Sequence, residues 1–305
     1  MHHHGVKLSM AFPAGFQLLL VIMSIAILSF ALIPAASAQT VRPSDCITST
    51  AAGDHTFNCE KMPVYVHIPS VCPKGGCGLI LEIHGDGGTG PTQDAHLRLS
   101  ELGEKAGYIL IAPTGGGFPP MDDTLFRLVR MFADVLKADP KKIHATGFSR
   151  GGFAVWRLAC DHADVFASVA PAAAGVGLPG ETSCFSNGRE PLRRFPILML
   201  IGLNDRNVPV NTQNAMRDLV VSRWQLMGPE KVSGDANYTH YRWSGSNGAL
   251  FELFEHRYEM TQGGGHCVPG STAIGLRGYP YGCQGPNAFN WGEEVMRFFQ
   301  AHPMP

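Results

Sequence analysis

The stretch Ile143-His144-Ala145-Thr146-Gly147-Phe148-Ser149-Arg150-Gly151-Gly152 decides the fold. Residues 143–147 are a short apolar run of the kind that fills a buried strand, and residues 151–161 read as a helix. Between them stands Gly-x-Ser-x-Gly. A strand that turns directly into a helix forces the turn residue into a strained backbone conformation and leaves no room for side chains beside it. Gly147 and Gly151 meet that condition. The Ser149 hydroxyl is lifted above the strand end, at a helix N-terminus where the macrodipole favours developing negative charge. Three fixed positions recur by chance as glycine-rich turns with a capping serine. The strand before and the helix after make Ser149 the candidate nucleophile.

Working outward, apolar runs alternate with helical periodicity. Residues 62–69, 79–84, 108–113, 166–171, 196–202 and 249–259 read as strands. Residues 95–107, 122–138, 211–227 and 287–301 read as helices, the third of these on weaker periodicity, and residues 39–60 as an irregular segment tied down by cysteines. Continuous apolar strands alternating with helices imply a mostly parallel central sheet with helices on both faces, an α/β fold in one domain over 39–305.

A serine nucleophile needs a base, and the base an orienting carboxylate. In this chain order the acid and then the histidine follow the serine. Downstream of Ser149 stand His162, His240, His256, His266 and His302. His162 closes the helix after Ser149 and points away. His240 and His256 fit surface positions, and His302 lies at the C-terminus. His266 sits in Gly263-Gly264-Gly265-His266-Cys267-Val268-Pro269-Gly270, a loop after a strand and before the last helix, from which a base can reach the sheet edge. Asp205, in Leu203-Asn204-Asp205-Arg206-Asn207, follows the end of a buried strand, where catalytic groups collect in such sheets. Asp235 is the alternative. For an oxyanion hole, one backbone N–H comes from Arg150 and the other from the loop His84-Gly85-Asp86-Gly87-Gly88, with Asp86 as first choice and Gly87 as second. His84 reads as a support of that loop.

The chain has 305 residues, 45% hydrophobic and 16% charged, with 24 Lys plus Arg against 25 Asp plus Glu. This excludes a disordered solvating chain and offers no basic surface for nucleic acid. Residues 1–38 carry Lys7, an apolar run and an Ala-x-Ala site ending at Ala38, the plan of a secretory signal peptide; an uncleaved anchor is the alternative. All eight cysteines lie beyond it. An even count in an exported chain suggests disulfides, and sequential spacing pairs them 46–59, 72–77, 160–184 and 267–283. No Cys-x-x-Cys occurs, so zinc ligation is weakly supported. Asn237-Tyr238-Thr239 matches the glycosylation pattern.

These motifs together resemble the polyhydroxybutyrate-depolymerase and feruloyl-esterase-like branch of secreted α/β-hydrolases. The marks are His84-Gly85, 108–113, Asp122-Asp123, Asp139-Pro140, the serine motif, 166–175, Gly202-Leu203-Asn204-Asp205 with Val208-Pro209, and 263–270. The resemblance implies an exported, cofactor-free esterase acting on an ester substrate through Ser149, Asp205 and His266. No metal site is read, the charge balance points to no nucleic acid, and no stable membrane partner is expected once the signal is cleaved. The chain departs from that family with Cys267-Val268-Pro269-Gly270 where Thr-Trp-Pro-Gly is common, and with Arg150 where Asn or Ala is common. No polymer-binding module follows, which favours soluble esters or oligomers. A peptidase on the same residues, or a binding protein on a hydrolase scaffold, are the other readings.

Overall fold

Leu79, Ile80, Leu81 and Ile83 are fully buried, as are Ile109, Leu110, Ile111 and Ala112 beside them. Strands apolar on both sides of the pleat must be covered on both faces. In the computed structural model, which describes residues 45–177, 184–185, 189–275 and 280–305, they belong to neighbouring interior strands of a ten-stranded sheet. The segment 1–38 read as an export signal lies outside the described residues. Among those described, no helix is long and apolar enough to cross a membrane.

The strands are β1 (Gly53–Cys59), β2 (Met62–Ile68), β3 (Gly78–Ile83), β4 (Tyr108–Pro113), β5 (Ile143–Phe148), β6 (Ser168–Ala172), β7 (Pro196–Gly202), β8 (Met227–Gly234), β9 (Tyr238–Ser244) and β10 (Leu250–His256), in the order 1-2-4-3-5-6-7-10-9-8. The run 4-3-5-6-7-10 is parallel. Antiparallel pairs extend it at both edges. Helices α3 (Asp122–Val135), α4 (Arg150–Asp161) and α5 (Val210–Trp224) pack on one face; α1 (Gly90–Leu97), α2 (Leu99–Ala106) and α6 (Trp291–Ala301) cover the other. The expected α/β architecture is present.

Several expected boundaries move, each for a local reason. The single helix expected over 95–107 is two. Arg98 takes left-handed φ 57°, and the Asp94 carboxylate accepts the Ser100 N–H and hydroxyl, capping the second helix. The terminal helix starts at Trp291 rather than 287 because the Asn290 side chain accepts from the Glu293 N–H. The helix expected to run to 227 stops at Trp224, where Gln225 turns left-handed, and residues 227–234 form an exposed edge strand instead. The segment 39–60 is not wholly irregular. Residues 53–59 pair with 62–68 through a two-residue turn in which Glu60 and Lys61 both have positive φ, the geometry of a primed hairpin turn without its usual Asn-Gly.

All four expected disulfides form: Cys46–Cys59, Cys72–Cys77, Cys160–Cys184 and Cys267–Cys283. The first fastens the segment before β1 to its hairpin, and the last begins at the residue after His266.

His144 on β5 is fully buried, stacked on Phe299 at 4.5 Å, with Nδ1 paired to the Ser168 hydroxyl. Burial pushes its pKa down to about 3 from an ordinary 6.5. The unfolded chain takes up this proton near pH 6.5 and the native chain resists until about 3, so stability falls as pH drops through that window. The slope is up to about 1.4 kcal/mol per pH unit. Denaturant unfolding at pH 7.5 and 4.5 checks this: the protein is expected to lose more stability between the two than its His144→Leu variant does.

Candidate active site

The site is assembled at the C-terminal ends of β3, β5, β7 and β10. Ser149 joins β5 to α4 with φ 54° and ψ −120°, a conformation costly for any residue with a Cβ. It is over-determined by its neighbours. The Ser149 N–H donates to Ala172 C=O at 2.9 Å, and Ser149 C=O receives the first helical bond from Phe153 N–H at 3.0 Å. A Cβ on Gly147 would lie 2.5 Å from Gly151 backbone, and one on Gly151 only 2.1 Å from Ile83 C=O. The two glycines of the motif are therefore steric requirements.

Asp205 stands three residues beyond β7 with its side chain wholly buried. Its Oδ1 accepts from Asn207 N–H and Val208 N–H, both at 2.8 Å, which shapes the turn into α5. Its Oδ2 accepts from Gln213 Nε2 at 3.1 Å and pairs with His266 Nδ1 at 2.8 Å. Asp205 thus caps a turn and orients a histidine at once. Gln213, whose amide also donates to Val208 C=O, has no motif that would announce it.

His266 is brought there by backbone contact. Gly265 N–H donates to Asn204 C=O at 2.9 Å, Arg206 N–H to Gly263 C=O at 3.2 Å, and Met260 N–H to Gly264 C=O at 2.7 Å. A Cβ on Gly202 would lie 1.9 Å from Gly265 C=O, and one on Gly264, at φ 57°, 2.3 Å from Asn204 C=O. The glycine run before His266 exists so that this loop can lie on the Asp205 loop. The His266 ring packs 4.8 Å from Phe148, the residue before Ser149, and edge-on to Tyr281 at 5.6 Å. Nothing in the sequence marks Phe148 or Tyr281 for this place, because a lone aromatic carries no positional signal.

The other candidates are engaged elsewhere. Asp235 accepts from Asn237 and Tyr238 N–H groups in the β8–β9 turn. His162 stacks on Phe126. His240 and His256, expected at the surface, are buried. His240 pairs with Glu252 at 2.8 Å. His256 lies beside Cys267 and Cys283, whose sulfurs are bonded to each other and so are not available as metal ligands.

In the loop after β3, His84 Nε2 accepts from Gly115 N–H at 2.9 Å, so Nδ1 carries the proton and donates to Gly85 C=O at 2.7 Å. Burial holds its pKa below the ordinary range, consistent with a neutral ring. The side chains of Asp86 and Arg150 meet at 2.5 Å, and the Arg150 guanidinium lies 4.2 Å above the Phe118 ring. The two residues expected to supply N–H donors are thus joined through their side chains, a pairing that spacing alone does not reveal. Gly117 beside them is anchored by Arg157, which donates to its C=O and grips the Asp122 carboxylate.

No family model matches the chain. The curated protein "Putative esterase NocK" of Nocardia uniformis subsp. tsuyamanensis is 31% identical over 119 residues, 34% of this chain. The match spans about a third (35%) of that relative's length. Acetyl xylan esterase from Aspergillus awamori superposes with a TM-score of 0.55 over 83% of this chain and 97% of its own, at 15% identity. LpqC, a poly(3-hydroxybutyrate) depolymerase from Bordetella parapertussis, gives 0.46 over 60% and 84%, also at 15%. The chain has the α/β-hydrolase fold.

The Gly202–Gly265 contact is open to test. Gly202→Ala is expected to destabilise by about 1–3 kcal/mol, the ordinary cost of overpacking, lowering the melting temperature by several degrees. Gly275→Ala, with nothing within 4 Å of the added carbon but φ +75°, measures the backbone penalty alone.

Proposed function

We propose that this chain is an exported serine esterase of the polyhydroxybutyrate-depolymerase and feruloyl-esterase-like kind. The observation that carries the reading is the buried Asp205 carboxylate holding His266 Nδ1 at 2.8 Å, in a loop packed on the residue preceding a strained Ser149. With Nδ1 committed to Asp205, Nε2 is the nitrogen that works. Ser149 Oγ attacks the ester carbonyl carbon while His266 Nε2 takes its proton. The carbonyl π electrons move onto oxygen, and the oxyanion is met by the backbone N–H groups of Arg150 and Asp86. When the oxygen lone pair returns, the bond to the alcohol breaks and His266 gives the alcohol the proton. Water, deprotonated by the same nitrogen, then releases the acid and restores Ser149. Asp205 fixes the tautomer and stabilises the imidazolium.

Four disulfides support an oxidising compartment, in keeping with the signal read at 1–38. The substrate class is a carboxylic ester: hydroxyalkanoate oligomers, or feruloyl and acetyl esters of plant polysaccharide.

The test is turnover of p-nitrophenyl acetate and butyrate, methyl ferulate and hydroxybutyrate oligomers by the protein and its variants. Ser149→Ala is expected to abolish turnover and fluorophosphonate labelling. Asp205→Asn keeps the shape but offers an amide where the imidazolium needs a carboxylate, and a loss in kcat on the order of 10³–10⁴ is expected. Equal rates in the protein and Ser149→Ala, or folded protein inert to every ester and to the label, would instead favour a binding protein on this scaffold.

A further inference from the structure

The loop carrying Asp86 closes on itself: Gly88 N–H donates to Gly85 C=O at 3.1 Å. Gly87, its third residue, has φ +77°, while Asp86 is not among the residues at positive φ. That combination defines a type II turn. Types I and II differ by a reversal of the central peptide, here the one between Asp86 and Gly87, and a glycine at the third position opposes neither state. The reversal would swing a carbonyl dipole round directly beside the Asp86 N–H. The field at an oxyanion held there therefore depends on which state the turn keeps, and preorganised donors are what such a site needs.

The peptide on the N-terminal side of Asp86 is held by its own neighbourhood, since Gly85 C=O accepts from both His84 Nδ1–H and Gly88 N–H. The central peptide is held from elsewhere. The Tyr281 hydroxyl donates to Asp86 C=O at 3.2 Å. Tyr281 is itself built into the His266 loop. Its C=O accepts from Val268 N–H at 2.6 Å, and it lies two residues before Cys283, which is bonded to Cys267. Its ring stands against both His266 and Phe148.

We propose that Tyr281 is a positioning residue: its hydroxyl locks the Asp86–Gly87 peptide in the type II state and ties the oxyanion turn to the loop that carries the base. This rests on the esterase reading of Ser149, Asp205 and His266. The residue acts through the turn.

Tyr281→Phe keeps the ring and removes the hydroxyl. It is expected to lower kcat on p-nitrophenyl butyrate about tenfold, less than the 10²–10³ typical of losing an oxyanion donor outright. KM should stay within about twofold, since the ground-state ester makes no use of the oxyanion field. The acidic limb of the pH–rate profile should keep its midpoint, because the His266–Asp205 pair is unchanged. Gly87→Ala gives independent access to the same peptide with Tyr281 intact, because alanine disfavours φ +77° and favours the reversed turn. It should lower kcat alone, and the double variant should lose less than the product of the two single losses. Unchanged kcat in Tyr281→Phe, a displaced acidic limb, or multiplicative losses in the double variant would each overturn the inference. Ser149→Ala in parallel separates the two levels. If it retains turnover, the esterase reading falls; if it is dead while Tyr281→Phe is fully active, only the role of Tyr281 falls.

Discussion

A carboxylate shut away from water must be met by donors, and the site follows from how Asp205 is met. Leaving such a charge unpaired costs several kcal/mol, more than any single contact nearby contributes. Two of its four donors are backbone N–H groups of the turn it starts, at Asn207 and Val208. The other two, Gln213 and His266, come from α5 and from a loop 61 residues on. The second pair can reach only if the two loops lie backbone against backbone, and that requires glycine at 202, 264 and 265. The position of the histidine is thus a by-product of satisfying a buried charge, and the disulfide beside it fastens an arrangement already determined.

What could be read beforehand follows the same division. Gly-x-Ser-x-Gly is legible because its glycines are local steric requirements with a fixed spacing. Asp205 and His266 are legible through their places, one after a buried strand and the other in a glycine loop. The six parallel strands are legible because burial on both faces leaves them mostly apolar. β1, β8 and β9 are not, and the first two fail for opposite reasons. β1 turns on Glu60-Lys61, residues that carry no hairpin signal. β8 buries nothing, so it lacks any hydrophobic period. Gln213, Phe148 and Tyr281 serve through contacts with residues distant in sequence, and no local pattern encodes that. Glu82 was equally silent. It is wholly buried on β3, where desolvation, with Asp94 nearby, pushes its pKa well above the carboxylate range.

The two halves of the site are held by different means. The Asp205–His266 half is fixed by backbone packing, where added atoms have nowhere to go. The turn after β3 is held by side chains: His84 on one peptide, Tyr281 on the next, and Arg150 on the Asp86 carboxylate. Side-chain grips are individually weaker, on the order of 1 kcal/mol each, and three of them meet on this short turn.

Arg150 shows how far such an arrangement spreads. A cation in the first turn of a helix opposes the macrodipole, and here it adjoins Ser149. The Asp86 carboxylate offsets it at 2.5 Å and the Phe118 ring covers it at 4.2 Å. Asp86 is more than half exposed, so the ion pair alone is worth little, and the guanidinium is held by geometry more than by charge. Room for its stem comes from Gly117, at φ +80°, where a Cβ would sit 3.0 Å from Arg150 Cγ. Gly115, two residues earlier, donates to the same His84 that grips Gly85. Arg150, the residue after Ser149, is therefore coupled to Asp86, Phe118 and the glycine run at 115–117. Exchanging it for the Asn or Ala common in the family it resembles would leave Asp86 without this cation and Phe118 uncovered.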